Sequence, residues 1–164
     1  MKPLTPTQQK FIAHWGAMGA QWGVNRTVAQ IHALLFVSER PLPAEEIAEV
    51  LQVARSNVSN SLRELQNWRI VRLASLVGDR RDHFESIADV WELFRIVLEE
   101  RKRREFDPTL QLLRECVEEA RQDGEDRFTR ERLGQLLEFF ETMGGWFERV
   151  RKLPNSLLVK FVKS

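Results

Sequence analysis

Between Ala54 and Asp82 the chain sets Arg55, Arg63, Arg69, Arg72, Arg80 and Arg81 against only Glu64, Asp79 and Asp82. The stretch just before it is the reverse, with Glu39, Glu45, Glu46 and Glu49 against Arg40. Within the basic segment, Arg55, Ser56, Asn57, Ser59, Asn60 and Arg63 fall near the start of a short helical pattern. These side chains can read nucleic acid by hydrogen bonding. Arginine pairs with guanine and asparagine with adenine in a bidentate manner, each giving about 1–3 kcal/mol of discrimination. Serine hydroxyls and a helix N-terminus suit phosphates better. Arg63 is placed to face the same partner two turns on, and Arg26 is a further candidate for holding a phosphate. The plainer alternative is a solvated polar face on an ordinary helix.

Other chemistry finds little support. His14, His32 and His83 have no metal-ligand spacing with one another or with Cys116. No Ser-His-Asp order, glycine-rich phosphate loop or paired-carboxylate signature is present, so neither an enzyme nor a bound cofactor or metal is expected. Cys116 lies between Glu115 and Val117, with Arg114 nearby, a setting without a clear thiolate-stabilising pattern. It reads as a helix cysteine facing a core.

The chain has 164 residues, 43% hydrophobic and 30% charged, with a formal net charge of +1. That composition is of an ordinary globular protein, long enough to bury a core without staples. No apolar run is long enough to span a bilayer, and MKPLTPTQQK lacks a signal-peptide core. A single cysteine argues for a reducing compartment, so the expected location is the cytoplasm, with no membrane partner.

The elements that must position the basic segment can be read from periodicity. Thr5-Pro6 starts a helix carrying Phe11, Trp15, Met18 and Trp22, which Gly23 stops. Ala13, Gly16, Ala17 and Ala20 give it a small-residue side for a close helix approach. Asn25 caps a second helix through Val28, Ile31, Leu34 and Leu35, ended by the prolines of SERPLP. PAEEIAEVL is a short helix with Ile47, Val50 and Leu51 inward. Gln52, Val53 and Ala54 then form a tight connection, and Val58, Leu62 and Leu65 restore the helical period. Two short helices joined by three residues, the second rich in Arg, Ser and Asn, make a helix-turn-helix. From Ile70 to Val77 the pattern is β-branched, GDRRD is a turn, and His83 to Ile87 returns as a strand. This predicts a wing with Arg80 and Arg81 at its tip, where Asp79 or Asp82 pairs with one arginine to hold the hairpin.

Helical period resumes beyond the wing. Asp89 and Glu92 start a helix over 90–105, Asp107-Pro108 starts another to about Arg121, and DGED breaks it. A last helix over 129–153 carries Leu133, Leu136, Leu137, Phe140, Met143, Phe147 and Val150, a stripe seeking a partner helix or subunit. Gly144-Gly145 inside it predicts a kink or a close crossing. EERKRRE reads as a solvated, salt-paired face. The apolar tail with Leu157, Leu158, Val159, Phe161 and Val162 is expected to dock on a dimer.

The run VLQVARSNVSNSLRELQNWRIVRLASLVGDRRDHFE resembles the reading head of the MarR superfamily, in its GbsR-like branch. WGAMGAQWGVNRTVAQIHALLF is similar to the first two helices of that branch, and DVWELFRIVLEERKRREFDPTL to its segment beyond the wing. Winged helices often place Ser or Thr before the reading helix; here the residue is Ala54, a lost cap worth about 0.5–2 kcal/mol. The resemblance implies that Arg80 or Arg81 enters a minor groove, attracted by its negative potential. It also implies a small-molecule effector, choline being the kind known in the branch. A quaternary ammonium compound would sit against aromatic faces, and Trp15, Trp22, Trp91 and Trp146 are the candidate rings. The same rings would equally serve as core filling.

The expected fold is mainly α with a small β-wing, a winged helix-turn-helix with N- and C-terminal dimerisation helices. Residues 1–23 form an N-terminal helix contributing to dimerisation, 24–88 the DNA-binding domain, and 89–164 the helical dimerisation region. The expected function is sequence-specific binding of double-stranded DNA by a homodimer that regulates transcription from a near-palindromic operator, as a repressor. The alternative is a winged helix used only for protein–protein assembly.

Overall fold

The computed structural model describes residues 3–154, 156–157 and 159–160. These form two compact units, 1–96 and 97–164, with the boundary inside one helix.

The first unit opens with α1 (Pro6–Gln21), started by a reciprocal cap. The Thr5 hydroxyl accepts from the Gln8 N–H, and the Gln8 side chain accepts from the Thr5 N–H. α2 (Arg26–Phe36) begins where the Asn25 side chain accepts from the Thr27 N–H at 2.8 Å. The two helices cross closely because Gly16 and Gly19 of α1 are buried. A Cβ on Gly19 would lie 2.6 Å from that of Ala29. The small-residue side is therefore used through the two glycines, while Ala13, Ala17 and Ala20 are exposed.

A two-residue strand, β1 (Leu42–Pro43), leads into α3 (Ala44–Leu51), then α4 (Arg55–Asn67), β2 (Val71–Ala74) and β3 (His83–Ser86). The sheet is antiparallel in the order β1-β3-β2. Leu42 faces Phe84 and Leu73 faces Phe84 from the other side. β1 is not predicted from the sequence: two residues carry no periodicity, and Pro43 is tolerated because this is an edge strand. The wing strands are also shorter than 70–77 and 83–87. The core comprises Ile31, Leu34, Leu42, Ile47, Val58 and Leu62, each at most 2% exposed.

α5 (Val90–Arg101) starts where Asp89 accepts from the N–H groups of Trp91 and Glu92. In the second unit, no break separates its end from α6 (Asp107–Gln122). A five-residue π turn, Lys102–Phe106, joins them instead. Pro108 explains the widening: its nitrogen has no hydrogen, and its ring would crowd the carbonyl four residues back in a regular helix. The Thr109 hydroxyl donates to the Glu105 carbonyl at 2.6 Å, supplying an acceptor's partner within this turn. Cys116 is half-buried on α6.

α7 (Arg127–Arg151) starts at Asp126, whose side chain accepts from the Thr129 N–H and hydroxyl. α6 and α7 form an antiparallel hairpin after Gly124, whose φ of +71° makes the turn. Phe106 stacks on Phe140 at 4.9 Å, and a Cβ on Gly144 would meet Phe106 at 3.3 Å. Gly144 thus marks a close crossing, while Gly145 has open space around it. The EERKRRE run is not wholly solvated: Glu100 is 2% exposed and ion-paired with Arg103 and Arg104. Lys102 reaches Asp107 at 2.6 Å and lies over the Phe147 ring. Of the tail residues, Leu157 is exposed, and Leu158, Phe161 and Val162 lie outside the described residues.

Candidate nucleic-acid interface

The helix-turn-helix is closed by backbone geometry rather than by glycine. Gln52 ends α3 in the left-handed region (φ 55°, ψ 43°), and the Val53 N–H donates to the Ala48 carbonyl at 3.1 Å. Arg69 does the same after α4, with φ 60° and the Ile70 N–H donating to Leu65 at 3.2 Å, which turns the chain into β2. Both positions cost strain in a residue with a Cβ. Neither is a glycine, so composition does not announce them.

α4 is anchored by Val58, Ser61, Leu62 and Leu65, all buried against the unit's core. The helix period then leaves Arg55, Ser56, Asn57, Ser59, Asn60 and Arg63 exposed. Ala54 makes no side-chain cap, so no side chain takes the place of Ser or Thr at this helix start. The first-turn N–H groups of a helix have no intrahelical acceptor and favour an anion.

A groove of about 420 Å³ runs between this face and the wing, with Arg55, Ser59, Arg63, Gln66 and Arg81 on its walls. Arg55 is ion-paired with Glu45 of α3, and the Arg63 guanidinium donates to the Asn60 side chain at 3.5 Å. The sequence alone does not mark Glu45 or Gln66 as part of this site. Glu45 lies in an acidic helix that reads as merely supportive, and only the fold brings its carboxylate to Arg55.

The wing separates its two arginines. Asp79 accepts from the Arg81 backbone N–H at 3.0 Å and from its guanidinium at 2.6–3.1 Å. Hydrogen bonding from Arg81 holds the Asp79 carboxyl well below the usual carboxylate range, and Asp79 raises Arg81 in turn. His83, 1% exposed, brings Nδ1 to 2.8 Å from the Arg81 carbonyl and Nε2 to 3.4 Å from Asp79. Asp79 is therefore the hub of the loop. Arg80 is exposed, and its side chain makes no ion pair or hydrogen bond among the described residues. Arg72 pairs across the strands with Glu85 at 2.7 Å.

Arg26 stands elsewhere in the unit, exposed at the start of α2, with its Cγ against Gly16 of α1. The four candidate tryptophans are distributed over both units. Trp15 is half-buried, its ring 5.4 Å from Phe11 and 6.4 Å from His32. Trp22 closes α1 and is 61% exposed. Trp91 is half-buried in the first turn of α5. Trp146 lies in the second unit on an apolar groove of about 410 Å³ with Phe106, Phe140, Met143 and Phe147. Among the described residues no cluster of His, Cys, Asp and Glu could hold a metal ion, and no helix is long and apolar enough to cross a membrane.

Residues 22–82, which span α2, the helix-turn-helix, β2 and the wing turn, match the model of the MarR family. No curated protein matches the chain. Among solved structures, a crystal structure of a transcriptional regulator is similar with a TM-score of 0.69 and 17% identity, over 97% of this chain and 100% of that one. The S. aureus MepR–DNA complex is similar at a TM-score of 0.39 and 19% identity, over 68% and 93%. The transcriptional regulator Tm0710 from Thermotoga maritima gives 0.41 and 16%, over 89% and 92%. The fold is thus a winged helix-turn-helix between helical extensions, and its segment 22–82 is similar to the MarR family.

Proposed function

We infer that the chain is a sequence-specific DNA-binding regulator of transcription, acting as a homodimer on a near-palindromic operator and working as a repressor. The observation that carries this reading is the groove on which α4 presents Arg55, Ser59 and Arg63 opposite Arg81 of the wing. A helix face this polar, anchored so firmly underneath, is suited to base edges in a major groove. Arg80, unpaired among the described residues, supplies a cation at the wing for phosphate or minor groove. Ser56, Asn57 and Asn60 extend the same exposed face, and Arg26 is a more distant phosphate contact.

Dimerisation is inferred from α7. Leu133, Leu137, Phe140 and Phe147 are half-buried, but Leu136, Phe139, Met143 and Trp146 stay exposed at spacings of three and four. That second stripe is a helix seam suited to another copy of the chain. Two reading heads about one DNA turn apart then require half-sites of matching spacing.

A GbsR-like regulator would also answer to a small-molecule effector. The groove beside Trp146 has the volume of a ligand site. Lys102 already occupies the Phe147 face there, 5.5 Å from its centroid, which disfavours a quaternary ammonium compound at that ring. Trp15, Trp22 and Trp91 in the other unit remain the alternative aromatic surface.

Selection from a random duplex pool tests the reading, run beside an Arg80→Ala, Arg81→Ala double variant. Enrichment of a two-fold symmetric site that the variant binds weakly is the expected result. No enriched site, with both proteins in the same weak binding, would replace this reading with protein–protein assembly.

A further inference from the structure

The groove between α4 and the wing is not a cationic surface. Arg55, Arg63 and Arg81 line it, but Glu45 and Asp82 line it too, and Arg81 is already bonded to Asp79. Bulk charge therefore does not explain what the groove would recognise; the placing of each cation does. Arg55 opens α4, and its Nη2 is ion-paired with Oε1 of Glu45 in the first turn of α3. Acidic side chains favour a helix N-terminus, and Glu45 and Glu46 both satisfy that rule. They turn to different partners, however: Glu46 to Arg40, and Glu45 to the arginine that starts α4. The Glu45–Arg55 pair is exposed, with side chains 42% and 69% accessible, so it adds little to folding. Arg63 on the same wall is the contrast: among the described residues its guanidinium meets only the Asn60 side chain, at 3.5 Å.

We propose that Glu45 is a specificity-determining residue, a positioning group that directs Arg55 to a guanine edge and away from the phosphates. This rests on the DNA-binding reading and adds how the first arginine of α4 discriminates. A long, unheld arginine at an exposed helix start is a mobile cation that the nearest phosphate takes, and such a contact carries no sequence information. Glu45 opposes that outcome in two ways. Paired with its carboxylate, Arg55 offers a phosphate no net charge. The pairing also uses one Nη2 hydrogen, and the planar guanidinium keeps a second edge of two parallel N–H groups. That edge matches O6 and N7 of guanine. Holding the fork in place before DNA arrives reduces the rotamer freedom lost on contact. Arg63, with no carboxylate partner among the described residues, keeps the phosphate role.

The test uses the duplex recovered by selection, with 7-deazaguanine replacing each guanine in turn, because this base still pairs but lacks the N7 acceptor. The wild type should lose about tenfold in affinity at one guanine of each half-site, and Arg55→Ala should show no such penalty there. Glu45→Gln keeps the shape and removes the charge. It should lose the penalty too, while its affinity for a scrambled duplex rises several-fold and its salt slope steepens by about one phosphate contact. Glu45→Ala should behave in the same way, and both variants should melt with the wild type because the pair is exposed. A Glu45 that only supports the fold would, when replaced, weaken binding to both duplexes by the same factor. That result, a penalty kept by Glu45→Gln, or a penalty lost without gain on the scrambled duplex, would overturn the proposal and leave DNA binding standing. Failure of the wild type to enrich any duplex would remove the DNA reading itself and the role of Glu45 with it.

Discussion

Acid should destabilise the first unit through one buried imidazole. His32 of α2 is 6% exposed, between the rings of Trp15 and Phe36, with Nε2 3.2 Å from the Ser86 hydroxyl of β3. These neighbours are neutral, so none of them compensates a positive charge, and burial pushes the imidazole pKa down to about 4. In the unfolded chain it returns to its ordinary 6.5. Between those values the unfolded state binds the extra proton, so stability is full above pH 6.5 and falls as the pH drops towards 4. From pH 7 to pH 5 this group alone removes about 2 kcal/mol, at 1.36 kcal/mol per pKa unit. Urea unfolding of wild type and His32→Gln at pH 7, 6 and 5 measures it, because the carboxylate background is common to both proteins. The wild type should lose about 2 kcal/mol more than the variant over that interval. Parallel losses in the two proteins would show that His32 takes up a proton as readily in the folded protein as in the unfolded chain and would refute the burial argument.

Gly19→Ala should destabilise the first unit by about 1–3 kcal/mol in the same urea assay, because its Cβ would overlap Ala29. Gly16→Ala should cost less, since the group it meets is the flexible Gln30 side chain. Asp79→Ala removes a negative charge yet should weaken DNA binding in an anisotropy titration, because Arg81 loses the partner that orients it. Tighter binding by Asp79→Ala would show that Asp79 only neutralises. Leu136→Asp, Met143→Asp should halve the mass seen by sedimentation without unfolding the hairpin, whose inner stripe is untouched; an unchanged dimer would place the subunit contact elsewhere.

Most of the winged helix-turn-helix is legible in the sequence because its signals are local. Thr5-Pro6, Asn25 and the Val58, Leu62, Leu65 period each act within a turn or two, and each appears where the sequence places it. The features that escape depend on partners far along the chain. β1 exists only because Leu42 and Pro43 meet Phe84 and His83. The π turn is hidden because Asp107-Pro108 also reads as a helix start, and local rules do not distinguish a start from a widened turn. Splitting the α7 stripe into an inner and an outer row requires knowing which side α6 takes. At the site, the sequence predicts a carboxylate pairing with one wing arginine, but only the turn geometry selects Asp79 with Arg81 and leaves Arg80 unpaired among the described residues. Whether the four tryptophans meet is the least legible point, because helical spacing on α1 carries no information about Trp91 or Trp146.

The claim that α4 reads bases while the wing supplies charge is tested most directly by comparing two titrations. Wild type and Asn57→Ala, Asn60→Ala are titrated against the selected duplex and a scrambled duplex, each over a salt series. Loss of the wild type's preference for the selected duplex, with nonspecific affinity and salt slope unchanged, is the result expected if these amides contact base edges. A double variant that discriminates as well as the wild type would contradict the account.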